Sequence, residues 1–262
     1  MSMLLAGPWL GEFGWEVAVW TPLVRKHSRK FDKTIIVCRK GHEYLYEDFT
    51  PTFILHDKKG LPDRWLLDGK KVSMPHKILD IYPDATICRP REKKCNKWPR
   101  EYFKYGQDEG SESFDVVIHA RAETKYGQTA WNYPTAWFSK ALKILDINPM
   151  HCASIGSLNG AAHVPRTRDL RGAPLDVLAE ILANSKVCVG SSSGPMHYAH
   201  LCGCPIVVIT TNEYQKSVGG TNKARYTKTW RAWDTPVKVL DKHNWRTPPE
   251  KVAKAIGKIL CV

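Results

Sequence analysis

Leu175–Ile209 reads LDVLAEILANSKVCVGSSSGPMHYAHLCGCPIVVI, and the fold turns on how this stretch is parsed. Leu175, Leu178, Ile181 and Leu182 fall three and four residues apart, which predicts a helix over 175–184 with one apolar face. Val187–Val189 is a short buried strand, Pro195 opens a second helix that Gly203 closes, and Ile206–Ile209 is another strand. Helix, strand, helix, strand in such short order is the grammar of a parallel sheet with crossover helices. Between the second and third of these lies SSSGP. Backbone N–H groups at a helix start point outside the sheet, Ser192 and Ser193 add hydroxyls, and Gly194 lets a ligand approach the backbone. The turn therefore reads as an anion site. It reads equally as a well-capped helix, with His197 filling a gap in the core.

Working outward, the same alternation predicts strands at Met3–Ala6, Thr34–Val37 and Phe53–Leu55, with a helix over 17–30 and a short one over 42–49. From Lys58 to Gly110 five prolines break the pattern into loops and short pieces. A second series follows the polar stretch Gly106–Ser113: a strand at Phe114–His119, a helix over 135–145 opened by Pro134, a strand at His151–Ile155, and a last helix over 249–260. The expectation is an α/β protein of two Rossmann-like lobes, residues 1–110 and 111–262, with a cleft between them. The last helix is a candidate to pack back on the first lobe. Open α/β sheets bind ligands beyond the carboxyl ends of their strands, so the site belongs there.

A chain of 262 residues with a 43% hydrophobic share and mean hydropathy of −0.37 is too apolar to be disordered and too polar to be embedded in a membrane. No stretch reaches the length of a spanning helix, and the opening MSMLLAGPWLGEFGWE lacks a secretory pattern. Thirty-nine basic residues against 26 acidic leave +13, which draws polyanions: nucleic acid, phosphorylated substrates or anionic surfaces. Eight cysteines without zinc-ligand spacing predict free thiols and a reducing, cytoplasmic setting. The histidines are scattered and no D-x-D segment is present, so no metal is expected. In RPREKKCNKWPR, residues 89–100, Arg91, Lys93, Lys94 and Lys97 beside Trp98 suit a phosphate backbone and an extruded base; they suit a solvated loop as well.

The segment from Asp169 to Ile209, with its helix, its strand, G-P-M-H-Y-A and the following G-x-P-I-V-V, resembles the nucleotide-sugar-binding part of the bacterial heptosyltransferases, which are GT-B glycosyltransferases. Ser192 stands where that family has Asp. The strand at Phe114–His119, the basic residues Arg121 and Lys125, and the Trp131–Trp137 stretch are similar to further family features. The resemblance implies a nucleotide-diphosphate sugar as donor and no cofactor. It assigns the donor to Arg121, Lys125, Ser192, Ser193, Gly194 and His197. In GEFGWEVAVWTPLVRK, residues 11–26, the family's general base is an acidic residue six positions before a proline, which is Glu16; Glu12 competes. The resemblance leaves the acceptor open. The charge favours a hydroxymethylated pyrimidine in viral duplex DNA, the family favours a cell-surface glycan, and a non-catalytic nucleotide- or nucleic-acid-binding protein is the third reading.

Overall fold

The computed structural model describes residues 1–57, 74–90, 99–106, 112–122, 129–215 and 220–261. The chain forms two compact units, Met1–Phe103 and Lys104–Val262.

The first unit is built on a four-stranded parallel sheet. Its strands are β1 (Met3–Ala6), β2 (Lys33–Arg39), β3 (Phe53–His56) and β4 (Thr86–Cys88), in the order β3-β2-β1-β4. Leu4, Leu5, Ala6, Ile35 and Ile36 are fully buried. The short apolar runs form strands because both faces are covered, where β-branched side chains pack well. Between β1 and β2 the pieces Phe13–Trp15, Glu16–Trp20 and Thr21–Ser28 run on without a break as one helix, α1. It starts four residues before the expected Val17 and its middle piece is π-helical. The loop before it is pressed onto β2 at Gly7, whose φ of +122° and a would-be Cβ only 2.4 Å from the Val37 carbonyl oxygen leave room for glycine alone.

After β2 the chain turns at Gly41, with φ +85°, and the expected helix over 42–49 shrinks to the single 3₁₀ turn Glu43–Leu45. The region that reads as loops and short pieces contains α2 (His76–Ile81) and β4, and Met74, Ile78 and Ile87 pack with Leu5 and Ile35.

Arg25 fastens the 43–48 segment to α1. Its guanidinium is buried, meets both oxygens of Asp48 at 2.6 and 2.8 Å, and donates to the carbonyls of Leu45 and Glu101. The rings of Phe49 and Phe103 lie 5.2 and 5.4 Å from it. A guanidinium so enclosed needs its counter-ion, since removing one partner of a buried pair strands the other charge.

The second unit carries β5 (Val116–Arg121), α3 (Thr135–Ile144), β6 (Cys152–Ser154), β7 (Ala161–Ala162), β8 (Arg168–Asp169), α4 (Leu175–Asn184), β9 (Cys188–Ser191), α5 (Gly194–Leu201), β10 (Ile206–Ile209), β11 (Tyr214–Gln215) and β12 (Gly220–Thr221). The helical pieces Asn222–Ala224 and Arg225–Thr229 follow as α6, then β13 (Val237–Leu240) and α7 (Pro249–Leu260). The main sheet runs β13-β10-β9-β5-β6-β8, all parallel. Leaving aside β7, which pairs antiparallel with β5, this is the doubly wound order 3-2-1-4-5-6 read from the other edge. Its topological switch point lies between β5 and β9.

Val116, Ile118, Val189 and Val207 from the sheet, Phe138 and Leu142 from α3 and Val252 and Ile256 from α7 form one core. β13, with a lysine at its second position after Pro236, gives little sequence signal yet closes the sheet edge by pairing with β10.

Replacing Asp48 by Asn should lower the unfolding free energy by about 3 kcal/mol in a denaturant titration, near the lower end of the range for breaking a buried pair because Asp48 keeps 13% of its side chain exposed. A loss below about 0.5 kcal/mol, the level of an ordinary surface change, would show that Arg25 does not hold the segment.

Candidate functional site

At the switch point of the second unit, β9 ends in the serine turn and α5 begins. Ser193 occupies the N-cap position with extended backbone, but its hydroxyl makes no capping bond. It meets Nδ1 of His119 on β5 instead, at 3.0 Å. A capping bond contributes about 1 kcal/mol. The residue that could provide it ties two neighbouring strands together at their carboxyl ends. Gly190 makes the approach possible, because a Cβ there would sit 2.7 Å from the His119 carbonyl oxygen and 3.0 Å from the Met196 sulfur. Gly156, at φ +120°, does the same behind the imidazole, where a Cβ would lie 2.8 Å from His119 Cδ2.

Tyr226 of α6 closes the turn from the other side. Its hydroxyl lies 3.3 Å from the Ser192 hydroxyl and accepts from the Ser193 N–H at 3.3 Å. Its ring stacks on His197 at 4.2 Å and 5° between planes, and Trp230 meets His197 edge-on at 4.7 Å. The Ser192 N–H is turned into the sheet, onto the Ile209 carbonyl at 2.9 Å, so that amide does not face outward.

Burial holds both imidazoles neutral. It brings His119 down to about 4, with the Arg121 guanidinium as a lesser cause, and pushes His197 well below the ordinary range, helped by Arg225. Positive potential at the turn therefore comes from the α5 terminus and the arginines rather than from histidine. Burial also drives the Tyr226 phenol up to about 12, so it stays a hydroxyl.

The structure brings Ser192, Ser193, Gly194 and His197 into one cluster and adds His119 and Tyr226. Arg121, two residues beyond His119, bonds Asn132 Oδ1 at 3.1 Å and lies over the Trp131 ring, which stacks on Trp245. Lys125 and the basic residues Arg91, Lys93, Lys94 and Lys97 lie outside the described residues.

In the first unit, Glu16 is fully buried. Its Oε2 meets His42 Nδ1 at 2.8 Å and its Oε1 accepts from the Tyr46 hydroxyl at 2.8 Å. Burial, and next the negative charge of Glu16, push the Tyr46 phenol well above its usual range, so it donates rather than ionises. Glu12, the competing carboxylate, is exposed. His42 and Tyr46 stand four residues apart beyond β2, and they lie 26 and 30 residues from Glu16, a separation only the folded sheet closes. Among the described residues no group of three or more His, Cys, Asp or Glu is placed to hold a metal ion, and no helix is long and apolar enough to cross a membrane. The described cysteines are all free.

An imidazole kept neutral by folding costs stability in acid. The unfolded chain protonates a histidine near 6.5, whereas folded His119 waits until about 4. Between these values the unfolded state holds more protons, so the contribution is whole above pH 6.5 and is lost as pH falls toward 4, on the order of 3 kcal/mol in all. His119→Asn should accordingly show a smaller drop in urea-unfolding free energy between pH 7 and pH 4.5 than the unaltered chain. An identical drop in both proteins would mean that His119 is already charged in the fold.

No protein-family model and no curated protein matches the chain. Solved structures do. The Escherichia coli ADP-heptose lipopolysaccharide heptosyltransferase II aligns over 100% of this chain and 99% of its own, with a TM-score of 0.62 at 12% identity. A glycosyl transferase family 9 protein from Veillonella parvula aligns over 99% and 97%, with a TM-score of 0.59 at 12% identity. The dodecameric glycosyltransferase TibC from enterotoxigenic E. coli, described as iron-containing, covers 100% of this chain and 79% of its own, with a TM-score of 0.56 at 14% identity. The fold of this chain is therefore the one shared by the heptosyltransferase-like GT-B glycosyltransferases, over essentially its whole length.

Proposed function

We propose that the chain is a glycosyltransferase that moves a sugar from a nucleotide-diphosphate sugar to an acceptor hydroxyl. The observation that carries this reading is the arrangement at the switch point of the second unit, where the serine turn, the start of α5 and neutral His119 converge at the carboxyl ends of β5 and β9. That is where open parallel sheets receive phosphorylated ligands. The fold shared with nucleotide-sugar-dependent enzymes supports it.

In this reading the donor diphosphate rests against Ser192–Gly194 and displaces the Tyr226 hydroxyl from the Ser193 N–H. Arg121 and Lys125 offset the negative charge that builds on the leaving group as the glycosidic bond breaks. His197 and Tyr226 form an aromatic floor beside it. Removal of the acceptor's proton depends on the negative charge of Glu16. Neither metal nor cofactor enters the scheme.

For the acceptor we favour a hydroxymethylated pyrimidine in duplex DNA, because the +13 charge suits a phosphate backbone. The lipopolysaccharide named for the E. coli neighbour supports a cell-surface glycan as the second reading. The described cysteines, free and mostly buried, fit a reducing compartment, the cytoplasm of the cell or of a viral host.

A thermal-shift panel of nucleotide sugars, ADP-heptose among them, tests the donor. A donor at 100 times its dissociation constant stabilises the fold by about 2.7 kcal/mol and raises the midpoint accordingly. No shift with any member of the panel contradicts the reading. Glu16→Gln should abolish transfer while leaving the donor-induced shift intact; unchanged turnover removes Glu16 from the reaction. DNA binding should weaken steeply between low and moderate salt, and a flat salt dependence favours the glycan.

A further inference from the structure

Glu16 cannot meet a substrate with its own oxygens in this structure. Its side chain is 0% exposed, Oε1 is held by the Tyr46 hydroxyl and Oε2 by His42 Nδ1. The imidazole between the carboxylate and the outside keeps 19% of its side chain exposed, and among the described residues no hydrogen bond engages its Nε2.

Its position is fixed from several sides. The His42 N–H bonds the Arg39 carbonyl across the Gly41 turn, Phe13 meets the ring edge-on at 5.8 Å, and Arg25 with Asp48 clamps the segment that follows. The carboxylate–imidazole pair stands at the carboxyl end of β2, the edge of the sheet at which ligands of such folds are bound. A buried carboxylate on Nδ1 fixes the tautomer with its proton on that nitrogen. It leaves Nε2 with a free lone pair and stabilises the imidazolium once Nε2 takes a proton.

We propose that His42 Nε2 is the atom that takes the proton from the acceptor hydroxyl, and that Glu16 acts through it. This rests on the transferase reading above. The acceptor O–H bond breaks and its proton passes to Nε2. The freed oxygen pair forms the bond to the anomeric carbon, and the bond from that carbon to the donor diphosphate breaks with its electrons left on the phosphate. His42 then returns the proton to water. His42 is the catalytic residue and Glu16 the positioning one. Tyr46, by filling the second oxygen of Glu16, keeps the carboxylate aimed at Nδ1.

The test separates this role from a structural clasp. His42→Asn keeps an amide N–H near the Nδ1 position to satisfy Glu16 and has no basic nitrogen. Turnover of ADP-heptose, UDP-glucose and UDP-N-acetylglucosamine is followed in the full-length chain, with water, hydroxymethylated duplex DNA and lipopolysaccharide as acceptors, alongside donor-induced thermal shifts. The expected result is an unchanged melting temperature and donor shift, with kcat lowered by about 10²–10⁴-fold. Added imidazole should restore part of the turnover of His42→Ala. An Asn variant as fast as the unaltered chain overturns the role of His42 and leaves the transferase reading standing. An Ala variant that imidazole does not rescue, beside a slow Asn variant, overturns the proton-transfer role in favour of the clasp. An unaltered chain that consumes no donor overturns both.

Discussion

Val117, Ile118 and His119 of β5 lie in register against Cys188, Val189 and Gly190 of β9, and the second unit is organised around that one parallel pairing. It joins the first strand of the unit to the fourth, and so creates the place where the strand order reverses. Ser192, Ser193, Gly194 and His197, the described residues proposed to hold the donor beside Arg121, are arranged at its open end. Because position 190 carries no Cβ, the backbone of β9 closes on His119, and the imidazole reaches the serine that begins α5. A bulkier residue would push the strands apart where their separation matters most, since a packed interior has little slack to absorb it.

The two candidate clusters use buried polar groups in opposite ways. His119 and His197 are held neutral by burial and contribute shape, hydrogen bonding and stacking but no charge. Glu16 is the reverse, a carboxylate placed in the interior and kept there by two partners, one of them an imidazole whose side chain is partly exposed. Unpaired, such a carboxylate would be expensive; paired, it fixes the ring beside it. The Arg25–Asp48 clasp serves the same end, because it binds the segment carrying Tyr46 to the helix carrying Glu16.

Much of the fold was legible in the sequence where apolar periodicity was strong. The strand MLLA and the helices over 175–184 and 249–260 fall as expected, because the strand is apolar on both covered faces and each helix buries one continuous apolar face. The proline-broken region hid α2 and β4, whose few apolar residues become informative only against Leu5 and Ile35. β13 was silent for a similar reason: an edge strand needs one pairing partner and little apolar pattern. Among the candidate site residues, the serine turn stood out because a glycine and a proline follow a buried strand there, a pattern that a capped helix shares. His119 was not, since nothing local distinguishes a histidine near a strand end. Nor was His42, whose meaning depends on a carboxylate 26 residues away that only the β1–β2 pairing brings near.

Donor binding in the proposed reaction requires the switch point of the second unit to seat a diphosphate. A crystal structure of the chain with ADP measures this most directly. Phosphate oxygens are expected within hydrogen-bond reach of the Ser192–Gly194 turn, with the Tyr226 hydroxyl displaced from the Ser193 amide. A nucleotide bound elsewhere, with the turn and Tyr226 unmoved, would contradict that placement.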